Sequence, residues 1–183
     1  MVATLVLPYA ERLIACLCDA LQATVGGPVC RCSLAPGTAP PPADACCNCD
    51  SGAGQATVQI TDTYATVAGK FPTRANGQMD NCGLFEFAAE LTMVVYRCVS
   101  VADEKSFPSG EELAADARKT ADDEQAMLQA MLCCDWRDRG DGELQPIIPG
   151  SWRPLSPLGG CAGGQMSVTV LVGGLCCSPQ PPA

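Results

Sequence analysis

Residues Leu84 to Val101 alternate apolar and polar side chains over eighteen positions, and this run constrains the fold more than any other stretch of the 183-residue chain. Successive side chains on a strand point to opposite faces. Phe85, Phe87, Ala89, Leu91, Met93, Val95, Val99 and Val101 therefore share one face, while Glu86, Glu90, Thr92 and Tyr96 share the other. Arg97 is the intruder on the apolar face. Strands usually run about five or six residues, so one this long bends or projects beyond its sheet as half of a hairpin. Long hairpins of that kind serve assembly, which marks Phe85, Phe87, Glu90, Thr92 and Tyr96 as candidate subunit-interface residues.

Two amphipathic helices are predicted. From Pro8 to Thr24, Leu13, Ile14, Leu17, Leu21 and Val25 recur at three- and four-residue spacing, and Gly26-Gly27-Pro28 stops the helix. Ser109 and Glu112 form a capping box that opens a second helix running to about Leu132, with Leu113, Ala117, Ala121, Leu128 and Leu132 as its inner stripe. Further strands are predicted over Val29–Leu34, Gln55–Val67 and Gln165–Val172. Prolines and glycines make 35–54 and 135–165 long loops, and 178–183 reads as a flexible tail. Trp136 and Trp152, in the second loop, are read as covering the core rather than as interface anchors. The order helix, strand, strand, strand, helix, strand has too few βαβ repeats for a doubly wound sheet and too much helix for a sandwich. The expectation is a single α+β domain over residues 1–183. Its mixed or antiparallel sheet has about four strands, with both helices on one face and long Pro/Gly/Cys-rich loops.

Composition narrows the function. The chain has no histidine, which removes Ser-His and Cys-His pairs and every His-containing zinc site. A formal charge of −9 argues against a surface that grips nucleic acid. Between Asp103 and Glu124 there are eight acids and three bases, so the charge is concentrated on one surface. The glycine-rich run Gly159 to Gly164 lacks the Gly-Lys-Ser/Thr of a phosphate loop and leads into a strand, so it reads as a turn. Neither a signal peptide nor a membrane span fits Met1 to Asp19, and the chain is expected to fold in a cytoplasm. No catalytic residue and no cofactor are expected.

Fourteen cysteines remain to be explained. Cys30, Cys32, Cys46, Cys47 and Cys49 could supply a tetrahedral thiolate set across the proline-rich loop. The spacing is poor for zinc, because Cys-x-Cys on a strand points both sulfurs the same way about 7 Å apart. Loop-stapling disulfides and buried free thiols stay open as alternatives. Cys16, Cys98 and Cys133 lie in apolar surroundings and read as small core residues. Cys133-Cys134 and Cys176-Cys177 are adjacent, and adjacent cysteines rarely bond to each other.

Several motifs together resemble head-to-tail connector proteins of tailed phages infecting actinobacteria, over nearly the whole chain. They are Cys30-Arg31-Cys32, the proline loop to Cys46-Cys47, Tyr96-Arg97-Cys98-Val99, and Pro108-Ser109 at the start of the acidic helix. Cys133-Cys134 and Trp152-x-Pro154-Leu155-x-Pro157-x-Gly159-Gly160-Cys161-x-Gly163-Gly164 complete the set. Within that group the element order is similar to the tail-terminator fold. The resemblance implies a structural virion protein at the neck or top of the tail, assembled in the host cytoplasm. It implies a homo-oligomeric ring, commonly a hexamer, that caps the tail tube, meets the tail tube protein and a head-side stopper or adaptor, and implies no enzyme. Genomic DNA would pass through the lumen without sequence-specific binding, and Glu111, Glu112, Asp116, Asp122 and Asp123 are the candidate lumen-facing acids. The alternatives are a head-completion stopper or adaptor, or a cytoplasmic cysteine-based metal-binding or redox module.

Overall fold

In the computed structural model, residues 5–37, 46–47, 54–76, 85–102, 107–137, 142–158 and 160–173 are described. The element order is α1 (Leu7–Leu21), β1 (Arg31–Ala35), β2 (Gln55–Val67), β3 (Phe85–Cys98), α2 (Gly110–Cys133), β4 (Ile147–Leu158) and β5 (Cys161–Gly173). The five strands form one mixed sheet in the order β1-β2-β3-β5-β4. Among the described residues only β1 and β2 run parallel, with Arg31 opposite Gln55, and the other strand pairs are antiparallel. This is an α+β fold with both helices on one face, as expected from the order of periodicities.

Alternation in β3 places Ala89, Leu91, Met93 and Val95 toward the helices. They meet Tyr9, Ala10, Leu13, Leu17 and Leu21 of α1, and Ala126, Met127, Ala130 and Met131 of α2. Ala56 and Val58 of β2 and Met166, Val168, Val170 and Val172 of β5 complete this core. Each fully buried Leu, Val or Met side chain contributes about 1.5–3 kcal/mol relative to exposure, so the shared face is the main source of cohesion. Trp136 closes one end of the core, buried, with its indole N–H donating to the Met131 carbonyl at 2.8 Å. The opposite face carries a smaller cluster of Cys46, Val94, Tyr96 and Cys161.

The structure differs from the sequence expectations in three places, each for a physical reason. The predicted 135–165 loop contains β4, a strand with Pro149, Pro154 and Pro157 inside it. It lies at the edge of the sheet, where a residue with no N–H to donate is tolerated. The predicted inner stripe of α2 is corrected in part: Leu128 packs against the core, but Leu113, Ala117, Ala121 and Leu132 are exposed, and the buried residues are Asp116, Asp123, Ala126, Met127, Ala130 and Met131. Finally, α1 ends at Leu21 and leaves Val25 exposed. The capping box is present: Glu112 N–H donates to Ser109 Oγ at 3.2 Å, and Ser109 N–H donates to the Glu112 carboxylate at 2.7 Å. The 178–183 tail and most of the 35–54 loop lie outside the described residues.

Candidate functional site

The anomaly of Arg97 is resolved by α2. Arg97 is 1% exposed, and its Nε and Nη2 donate to the two carboxylate oxygens of Asp123 at 2.9 and 2.8 Å. Nη1 donates to the Gly26 carbonyl at 3.0 Å, and Nη2 also reaches Thr24 Oγ1 at 3.2 Å. One guanidinium thus ties β3, α2 and the turn after α1 together with a bidentate fork, the geometry in which arginine binds carboxylate best. Gly26 leaves room for it, since a Cβ there would lie 2.8 Å from the guanidinium carbon.

Glu111 and Glu112 are exposed in the first turn of α2, and the Ser109 backbone and side chain hold the Glu112 carboxyl below its usual value. Asp116 is buried and accepts from Ser100 N–H at 2.7 Å and from Lys119 Nζ at 2.9 Å. Burial pushes the Asp116 carboxyl up, but the Ser100 and Lys119 contacts outweigh it and hold the group below its ordinary range. Asp122 accepts from Val25 N–H at 2.5 Å. Asp116 and Asp123, expected among the lumen-facing acids, instead turn inward and tie α2 to Ser100, Lys119 and Arg97 of their own chain. Glu111 and Glu112 keep that orientation open.

The expected interface residues of β3 do not form one surface. β3 is paired along its length with β2 on one side and β5 on the other, so it has no free edge with which to add a neighbour's strand. Phe87 packs against the core and lines an apolar hollow of about 430 Å³ with Leu5, Val6, Leu7, Ile60 and Val172. Glu90 and Thr92 face the other way, with Ser151, Arg153, Gln165 and Ser167, around a polar hollow of about 140 Å³. Tyr96 is buried in the smaller cluster, where burial pushes its hydroxyl pKa up. Phe85 is the first residue of β3, opposite Val67. The free sheet edges among the described residues belong to β1 and β4.

The five candidate thiols are likewise divided. Cys32 is bonded to Cys18 of α1, Cys46 to Cys161, and Cys47 to Cys98. Cys30 is also disulfide-bonded, and Cys49 lies outside the described residues. Cys16 and Cys98, expected as core thiols, are disulfide-bonded too. Cys16 joins Cys134 across the two helices, with Cα atoms 5.8 Å apart, and Cys133 is an exposed free thiol. The set expected at Cys30, Cys32, Cys46, Cys47 and Cys49 is thus not one metal centre. Sequence reasoning missed Asp123 as the partner of Arg97, although a buried cation requires an acid on the element that covers it. It also missed the pairing of Cys46 and Cys47 with Cys161 and Cys98, which no local spacing encodes.

No helix among the described residues is long and apolar enough to cross a membrane. No protein-family model matches the chain, and no curated protein matches it.

Proposed function

We propose that this chain is a tail terminator: a structural virion protein that forms a ring, six copies by the resemblance, capping the tail tube and joining it to the DNA-filled head. The observation that carries this reading is the sheet with two free edges on opposite sides, β1 and β4, beside a helix-covered face. A ring needs a heterologous contact, in which one surface of a copy meets a different surface of the next, and two unlike edges supply that pair. The contact moves from β3 to these edges. Pro149, Pro154 and Pro157 deny β4 a continuous row of donors, so exposed side chains such as Ile148 and Leu158 would carry the packing. The element order, with β4–β5 as a final hairpin, extends the helix, three strands, helix, strand order of the terminator resemblance. Exposed Glu111 and Glu112 on a chain of net charge −9 suit a lumen that repels the DNA backbone.

Negative-stain microscopy of a phage encoding this chain, with and without the gene, tests the proposal. A terminator predicts filled heads beside unattached tails of irregular, excessive length. Free tails of normal length would move the chain to the head-side layer, and normal virions would end the connector reading.

A further inference from the structure

Four sulfurs from three parts of the chain meet on the face of the sheet away from the helices. Cys98 ends β3 and Cys161 begins β5, and the two are register partners across the antiparallel ladder. Cys46 and Cys47 arrive beside them, with Cα distances of 6.1 Å from Cys46 to Cys161 and 5.1 Å from Cys47 to Cys98. The Sγ atoms of Cys46, Cys47 and Cys161 all lie within 4.8 Å of one another, and those of Cys46 and Cys47 are 3.5 Å apart. Cys98 Sγ is bonded to Cys47. A tetrahedral zinc–thiolate centre with bonds of about 2.3 Å sets its sulfurs about 3.8 Å apart; Cys46 and Cys47 already stand near that separation, Cys161 lies within the same small group, and Cys98 is tied to it through Cys47. The adjacent Cys46 and Cys47 thus bring their sulfurs to the same point from one side. Cys46 and Cys161 are fully buried beside Val94, Tyr96 and Leu155, and Cys47 is exposed, which gives a dry interior with one open side.

We propose that the reduced protein binds one Zn²⁺ through Cys46, Cys47, Cys98 and Cys161, and that exchange with two equivalents of a small-molecule disulfide, each taking two electrons and two protons to become two thiols, releases the Zn²⁺ and leaves the Cys46–Cys161 and Cys47–Cys98 disulfides. Soft thiolates select zinc over hard cations, and a reducing cytoplasm supplies them as thiols. The balance is explicit. A dithiol gives two electrons and two protons to each disulfide, yielding two cysteine thiols, and itself becomes a disulfide. Zn²⁺ then displaces the four thiol protons as four Zn–S bonds form. The metal-bound and disulfide-bonded forms are therefore mutually exclusive. This inference does not rest on the terminator reading.

The test uses the full chain, reduced with a dithiol that is removed under nitrogen, and then given Zn²⁺ alone. The expected result is one equivalent of bound zinc, with alkylation of Cys46, Cys47, Cys98 and Cys161 slowed at least tenfold and that of Cys16, Cys18, Cys32 and Cys134 unchanged. Mapping this protection by mass spectrometry needs no variant and so does not depend on a mutant folding. Cys161→Ser should lose the zinc and Cys32→Ser should keep it. The proposal is overturned by absence of protection, by protection mapped to other cysteines, by full zinc retention in Cys161→Ser, or by equal zinc uptake in the oxidised protein.

Discussion

Replacing Asp123 with Asn should destabilise the protein by about 3–5 kcal/mol, the cost of breaking a buried ion pair from one side. The structure supports that size independently. Arg97 and Asp123 side chains are 1% and 4% exposed and share two hydrogen bonds, at 2.9 and 2.8 Å. Charge-assisted bonds contribute about 1.5–3 kcal/mol each, which brackets the same range. The cost arises mainly from losing the bidentate carboxylate of a buried guanidinium, whose hydrogen bonds to the Gly26 carbonyl and Thr24 Oγ1 go to uncharged groups. Arg97→Met should cost a similar amount, because Asp123 is then the unpaired charge. The double variant Arg97→Met/Asp123→Leu should be more stable than either single one, since it removes both charges from a dry site. Urea denaturation with disulfides intact reads these differences. Thermal melts should fall by about 6–20 °C for each single variant, at about 2–4 °C per kcal/mol for a chain of this size. A loss below about 1 kcal/mol in Asp123→Asn, the cost of an exposed pair, would refute the argument that this fork is buried and specific.

Other expectations follow from the same structure. Peptide mapping of the oxidised protein should recover Cys16–Cys134, Cys18–Cys32, Cys46–Cys161 and Cys47–Cys98, with Cys133 alkylated in the native state; a different connectivity contradicts the fold. The Cys16→Ser/Cys134→Ser variant opens a loop of 118 residues and should lose up to about 5 kcal/mol, measured by denaturation. Asp116 is held below its ordinary pKa of 3.8, so its unfolded form binds a proton more readily than its folded form. Its contribution is complete above the unfolded value of about 3.9 and is lost as pH falls through the lower folded one. Asp116→Asn should therefore flatten the fall in stability below about pH 4, and an unchanged acid profile would contradict the assignment.

The sequence made the strand periodicities legible because a sheet face is a local, period-two property. β2 runs from Gln55 to Val67 as expected, and alternation in β3 sorts Ala89, Leu91, Met93 and Val95 onto the helix side. The capping box at Ser109 and Glu112 was equally local. β4 was hidden because proline normally denies a ladder, and edge position, which suspends that rule, is a tertiary fact. The inner face of α2 was misread for a related reason. Leu113 and Leu132 look like core residues in isolation, but the face that meets the core carries Ala126, Met127, Ala130 and Met131 together with Asp123, the partner of Arg97. The parallel pairing of β1 with β2 and the four disulfides between described residues depend on chain crossings that no short spacing records. That both edges of β3 are occupied, by β2 and β5, is likewise not readable from the length of the strand.

The central claim, a ring at the top of the tail, is tested most directly by cryo-electron microscopy of the neck of a virion encoding this chain. The account predicts a closed ring of this fold on the head-proximal end of the tail tube, with β4 of each copy against β1 of the next and Glu111 and Glu112 toward the lumen. A neck without this fold, or a ring whose copies meet through their helix-covered faces, would contradict it.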